Sequence, residues 1–405
     1  VKNTLNLLLR RTEYKSLYRS IFYTLMIMVI YIIGSNIEIL STANGNKNLD
    51  TFSNIGVAAM GGNFTAVTLF SLGLGPYLTA MLIVNLLALR NPEKMMLQTK
   101  KERQFKEKAF TMILATVQAY YLLNMYVKHG DNRIHIMAMG MLVLIAGSML
   151  LIWLADQNTM YGIAGPMPIV VMSIIKSIMH SNAQNDIHLK IIVWIAIACI
   201  LLFCVVLLII IERAEYRIDY RDILNNSKDK QSFIAWKLNP GGSLAIMVSM
   251  SLFMIIKAII ELCIILITQK QELTWLDFKN PLGITVYMIL LFSLAYFLSL
   301  LMLNPKRKAT DFLKSGNYIE GVHPGKQTES YLTRKARKIS LFSGVMIVII
   351  IGLPFYFTLI IPVLSKEIYL AIQILMLIYI SINITDVIKN EMYFNRYKNF
   401  MNKYW

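Results

Sequence analysis

Long runs of apolar residues, separated by polar and basic stretches, dominate the chain. Ten of them, 17–35, 69–89, 109–127, 134–155, 162–180, 187–211, 241–268, 282–303, 339–363 and 368–388, are each about the length of a membrane span. A helix needs roughly 20 apolar residues to cross hydrocarbon, because each residue rises only about 1.5 Å. Each run is too apolar for the surface helix of a water-soluble protein. The pattern predicts an all-α membrane protein of ten transmembrane helices.

Ten spans divide into two halves of five, 1–185 and 186–405. An odd number of spans per half makes the halves opposite in topology, the arrangement that places a functional path at the repeat interface. Glycine and proline punctuate the second span of each half. Gly61-Gly62 and Gly73-Leu74-Gly75-Pro76 mark the first, and Asn239-Pro240-Gly241-Gly242 the second. Broken helical backbone at membrane depth is tolerated only where protein buries it or where it lines a cavity. Packing glycines explain the same residues without a pathway; their paired positions favour the pathway.

Charge sets the orientation. With ten spans, both termini share a side with loops 90–108, 156–161, 212–239 and 304–338, and about 31 of the 40 Lys and Arg lie there, against about 7 on the other side. The positive-inside rule puts that side, and both termini, in the cytoplasm. The same distribution answers the formal charge of +17: the basic residues lie between apolar runs, so they report topology and not nucleic-acid binding. Charged residues make up 16% of the chain, below the roughly 25% of soluble proteins. The run 17–35 reads as a retained span, since no small-residue cleavage site follows it convincingly.

Little in the chain suggests catalysis. Cys199, Cys204 and Cys263 lie inside apolar runs, and the five histidines are scattered, so neither a disulfide framework nor a metal site is expected. Intramembrane ionisable groups are few: Lys176, Lys257 with Glu261 four residues on, and Asp386. None is expected at the midplane, where ion-coupled transporters keep their carboxylates. Gly321-Val322-His323-Pro324-Gly325-Lys326-Gln327-Thr328 departs from a phosphate loop, its glycines one residue too close and Gln327 standing where a hydroxyl should follow the lysine. No enzyme and no cofactor are expected. The basic loop 304–338, with about nine Lys and Arg, is either a solvated stretch near anionic lipid or a docking surface for a cytoplasmic partner.

These pieces, taken in order, resemble the SecY family of protein-conducting channels. Ser71-Leu72-Gly73-Leu74-Gly75-Pro76-Tyr77-Leu78-Thr79-Ala80 is similar to the family's second-span run. Trp153-Leu154-Ala155-Asp156-Gln157 with Gly162-Ile163 resembles the approach to span five, and Lys237-Leu238-Asn239-Pro240-Gly241-Gly242 the approach to span seven. Glu212-Arg213 with Tyr220, Asn304-Pro305-Lys306, Leu313-Lys314-Ser315-Gly316 and the 321–328 run resemble the two large cytoplasmic loops, and Tyr397-Lys398-Asn399-Phe400 the end.

The resemblance implies an hourglass pore, a seam between spans two–three and seven–eight that opens towards lipid, and a plug in 51–62. Its constriction would fall on Leu74, Leu78, Met167, Val171, Met247 and Met376. It also implies a SecA-type motor ATPase docking through Arg213, Arg217, Arg221, His323, Lys326, Arg334, Lys335, Arg337 and Lys338. Small SecE- and SecG-like membrane subunits or accessory Sec proteins, a preprotein substrate and membrane lipids complete the expected partners; nucleic acid is not among them. His323 replaces the family's arginine in the second loop, and Ala164-Gly165-Pro166 lacks its usual asparagine. These departures resemble the accessory branch of Gram-positive bacteria, which exports Ser-rich glycosylated adhesins across the cell membrane. A housekeeping SecY and an inverted-repeat transporter of small solutes or lipid-linked substrates remain the alternatives.

Overall fold

Hydrocarbon offers backbone N–H and C=O groups no partner, so apolar runs of this length must satisfy themselves as helices. The computed structural model describes residues 12–39, 57–58, 60–62, 67–90, 99–126, 133–182, 191–222, 232–268, 280–361 and 364–402. Among them, helices occupy all ten predicted spans: α1 (Thr12–Ser35), α2 (Gly75–Arg90), α3 (Lys100–Tyr126), α4 (Arg133–Tyr161), α5 (Met167–Asn182), α6 (Ile191–Arg213), α7 (Gly242–Thr268), α8 (Pro281–Leu303), α10 (Lys326–Ile347) continued by α11 (Leu353–Ile360), and α12 (Ser365–Asn402). Helix α9 (Pro305–Ser315) and strands β1 (Glu215–Tyr220) and β2 (Ser232–Lys237) lie in the two large loops.

Several boundaries differ from those expected, each for a local reason. Helix α3 starts at Lys100 and not at 109, because a reciprocal cap begins there: Thr99 Oγ1 accepts from Glu102 N at 3.3 Å and Glu102 Oε2 from Thr99 N at 3.2 Å. Much of the presumed 90–108 loop is therefore helix. Helix α10 likewise starts inside the 304–338 loop, and α12 runs on past 388 to Asn402. In span nine a π turn, Val348–Gly352, joins α10 to α11 just before Pro354, whose ring and missing N–H break the regular ladder.

Two compact units emerge, one of Val1–His188, Met250–Leu273 and Met376–Trp405, the other of Leu189–Ser249 and Thr274–Leu375. In the first, α1 packs on α4 and α5, and α3 packs on both α2 and α4. Gly140 of α4 takes the Leu123 side chain of α3, the close approach small residues give membrane helices. In the second, α8 packs on α10 and α11, and Gly344 accommodates Phe292.

The two large loops of the second unit share a core of their own. Strands β1 and β2 pair antiparallel with Ile218 opposite Ile234. Ile218 and Trp236 point inward and pack with Leu303, Phe312, Ile319, Leu332 and Ala336. Helix α9 is bounded at both ends by residues of left-handed conformation, Asn304 (φ 38°) and Gly316 (φ 73°), with Pro305 in its first turn.

Candidate translocation pathway

Among the described residues, the helices of the second and fifth spans are the shortest of the ten spanning helices. Their 69–74 and 162–166 residues are turns, so α2 and α5 have 16 residues each. At 1.5 Å per residue the described part of each is about 24 Å long. Proline stands in the first turn of both, Pro76 and Pro168, where a missing N–H costs nothing.

The turn before α2 is buried: Phe70, Leu72 and Leu74 are no more than 3% exposed. Its backbone finds partners within the unit, with Ser71 N donating to Thr68 O, Gly73 N to Phe70 O and Leu74 N to Met60 O at 2.8 Å. Gly73 has a φ of 60° and its Cα lies against the backbone of Gly61 and Gly62. A Cβ there would collide with main chain, so this contact requires glycine.

The turn before α5 is organised by Asn158 of α4, fully buried. Its Nδ2 donates to Ile163 O at 3.0 Å and Gly165 O at 2.6 Å, and its Oδ1 accepts from Thr24 of α1 at 3.0 Å. The Thr24 hydroxyl accepts in turn from Ile163 N at 2.9 Å. Ala164 and Gly165 both have positive φ, 60° and 54°.

Of the expected plug, residues 51–56 and 59 lie outside the described residues. The rest forms a tight turn, Gly62 N donating to Val57 O at 2.9 Å, with Val57, Ala58 and Met60 buried. Gly61 faces Ile169 of α5 and Leu74, and Met60 Sδ lies at Gly75. The segment is therefore seated where α2 and α5 begin.

Leu74 and Leu78 are one turn apart at the start of α2, and Leu78 N donates to Leu74 O at 3.0 Å. Met167 and Val171, both half-buried, hold the matching positions at the start of α5. Met376 is buried on α12 in the same unit. Met247 is buried on α7, in the part that belongs to the other unit. Also in the first unit, Gln118 of α3 donates to Ser251 of α7 at 3.3 Å, and Ser251 lies against Gly75 of α2. The ionisable residues have local partners: Lys257 and Glu261 pair at 3.9 Å, and Lys176 Nζ donates to Ser35 O at 2.8 Å.

All nine loop residues belong to the second unit. Arg213 ends α6, exposed. Arg217 stacks over Phe233 at 4.7 Å, and Arg221 pairs with Glu320 at 2.6 Å. His323 and Lys326 are exposed where α10 begins. Arg334, Arg337 and Lys338 are exposed along α10, while Lys335 donates to the Tyr216 hydroxyl at 2.7 Å. A polar chain, mostly buried, links the end of α6 to α8 and α10 through Asn239, just before α7. Glu212 meets Lys237 at 3.6 Å and accepts from Asn239 at 3.5 Å, Ser343 donates to Asn239 at 2.6 Å, and Ser299 and Ser343 share a hydrogen bond at 3.0 Å.

The profile of the SecY family matches residues 68–385. The chain belongs to the SecY family. It is 44% identical over 403 residues to a Staphylococcus epidermidis protein named accessory Sec system protein translocase subunit SecY2, covering 98% of this chain and all of that one. A Staphylococcus aureus protein of the same name is 43% identical over 405 residues, covering 98% and 99% of the two chains. A solved protein-conducting channel shares the fold with TM-score 0.64 at 15% identity, covering 92% of each chain, and canine Sec61 in a ribosome–channel complex gives 0.57 at 14% identity with the same coverage. The ten-helix SecY fold accommodates the spans, and membership of the family removes the small-solute transporter reading. Sequence reasoning did not single out Asn158, Thr24, Gln118 or Ser251. Thr24 and Gln118 stood out as polar residues within apolar runs, whereas Asn158 lay among the polar residues of the predicted 156–161 loop and carried no signal of its own.

Proposed function

We propose that this chain is the channel subunit of an accessory Sec translocase. It passes unfolded preproteins, Ser-rich glycosylated adhesins, across the cell membrane, and a separate SecA-type ATPase drives it. Leu74, Leu78, Met167, Val171, Met247 and Met376 form the waist, and the segment ending at Gly62 plugs it. The observation that carries this reading is the pair of short helices, α2 and α5, each with two apolar ring positions in or beside its first turn and the 57–62 turn seated against both. An apolar waist dewets and so blocks ions, and methionine deforms around a passing chain.

The motor docks on the cytoplasmic part of the second unit, through Arg213, Arg217, Arg221, His323, Lys326, Arg334, Lys335, Arg337 and Lys338. The names borne by the relatives support the accessory role over the housekeeping one. SecE- and SecG-like subunits or accessory Sec proteins, and membrane lipids, complete the assembly; both termini are cytoplasmic. Photo-crosslinkers at Leu78, Val171 and Met247 test the channel. A stalled export substrate crosslinks from all three, and absence of adducts from all three sinks the reading.

A further inference from the structure

The excursion between α1 and α2 is closed at its base by backbone pairing. Ile39 N donates to Val67 O at 2.8 Å and Leu69 N to Ile37 O at 3.1 Å, with Glu38 opposite Thr68. Lys176 of α5 secures the same place, donating to the Ser35 carbonyl at 2.8 Å, the Ser35 hydroxyl at 3.0 Å and the Asn36 amide oxygen. The C-terminal end of α1 is thus capped by a cation. One turn earlier on α5, the Ser173 hydroxyl donates to Gly62 O at 2.8 Å. From α1, the Tyr31 hydroxyl donates to Gly61 O at 2.9 Å. Tyr31 is 1% and Ser173 3% exposed, and the Tyr31 ring is fixed by stacking on Phe70 at 5.9 Å.

We infer that Tyr31 and Ser173 are a latch, two positioning residues that set how often the plug segment leaves its seat, while the base pairing and Lys176 keep the ends of the excursion in place. This rests on the channel reading above. Two successive backbone carbonyls are gripped by hydroxyls from two different helices, so the grip does not depend on the side chains of the plug. When the segment leaves, water replaces it, and both hydroxyls and both carbonyls recover hydrogen bonds. The net value of each bond is then modest, as a stopper that must open requires. A purely structural role, fixing α1 to α5, is already served by Lys176 and would not make the seal depend on these two hydroxyls.

The test uses the full chain in planar bilayers. Tyr31→Phe and Ser173→Ala remove the hydroxyls and keep the bulk. Resting ion leak is one readout. The other is thiol labelling of Ala58→Cys, a site 2% exposed when seated, with Cys199, Cys204 and Cys263 replaced by alanine. Each single variant raises both readouts about 2- to 10-fold and the double about 10-fold or more, the range a modest hydrogen bond gives. Ser173→Thr, which keeps a donor, stays close to wild type. A double variant with wild-type leak and wild-type labelling overturns the latch. Deletion of 57–62 separates the two claims: leak on deletion with none in the double variant refutes the latch alone, and no leak on deletion refutes the plugged channel with it.

Discussion

Asn158 has two amide hydrogens and spends both on carbonyls of the turn that precedes α5, while its oxygen takes the Thr24 hydroxyl. Removing one partner of a buried hydrogen bond leaves the other without solvent, which costs more than the bond itself contributes. Asn158→Ala strands two carbonyls, so we expect a loss of about 2–4 kcal/mol, read as a lower unfolding midpoint in detergent. Ala164 carries a φ of 60°, where an L-residue with a Cβ pays roughly 1–2 kcal/mol. Ala164→Gly therefore raises stability by about 1 kcal/mol, and the same melt shows it; no rise would mean that the turn is not strained there. The missing asparagine of the 164–166 stretch was visible in the sequence. The positive φ of Ala164 was not, because φ is a property of the folded turn. The partners of Asn158 were equally hidden, since Thr24 lies 134 residues away.

Span existence was legible because membrane helices need length and apolarity, with no periodicity to find. Where helices begin was less so, although the signals were present: Thr99 with Glu102, Asn304-Pro305, and the prolines Pro76 and Pro168 all mark starts. The β-hairpin went unread for a different reason. Its alternation covers only six residues per strand, EYRIDY and SFIAWK, and its inward residues find their partners on α9 and α10, far along the chain. Leu74, Leu78, Met167 and Val171 sit at or beside helix starts, whereas Met247 is in the second turn of α7 and Met376 lies within α12. On the proposed channel reading all six close a pore, so truncating them should loosen a seal. Core truncations, by contrast, cost about 2–5 kcal/mol. Met167→Gly with Met247→Gly is expected to keep near-normal expression and to raise resting conductance, most strongly with 51–62 also deleted. A double variant as tight as wild type would mean that these methionines face other helices.

For the molecule as a whole, the proposed orientation and the proposed motor contact both rest on the distribution of charge. Cysteine at Ile37 should label from outside intact cells and cysteine at Glu320 should not; external labelling of Glu320→Cys would overturn the assignment of both termini to the cytoplasm. On the side proposed to be cytoplasmic, α10 carries a basic row that splits into two kinds of residue. Lys335 is held by its hydrogen bond to Tyr216, which raises its pKa above the usual lysine value, with the Tyr216 and Tyr331 rings at 5.3 and 5.7 Å. A raised lysine pKa favours the charged form, and any contribution it makes is lost only as pH climbs through that value, so the residue stays cationic across the physiological range. Arg334, Arg337 and Lys338 are exposed and have no ion pair among the described residues. On the proposed docking they are the ones that would meet an acidic surface of a motor, whereas Lys335 ties α10 to β1 through Tyr216. Charge reversal of Arg334, Arg337 and Lys338 should therefore reduce export and weaken motor binding, leaving the protein in the membrane. Wild-type binding should itself fall as ionic strength rises and the screening length shrinks below about 10 Å. Lys335→Met should instead loosen the hairpin, seen as faster hydrogen exchange across Glu215–Tyr220, with a smaller change in salt dependence. Export and salt dependence unchanged by the triple reversal would rule out docking through that row.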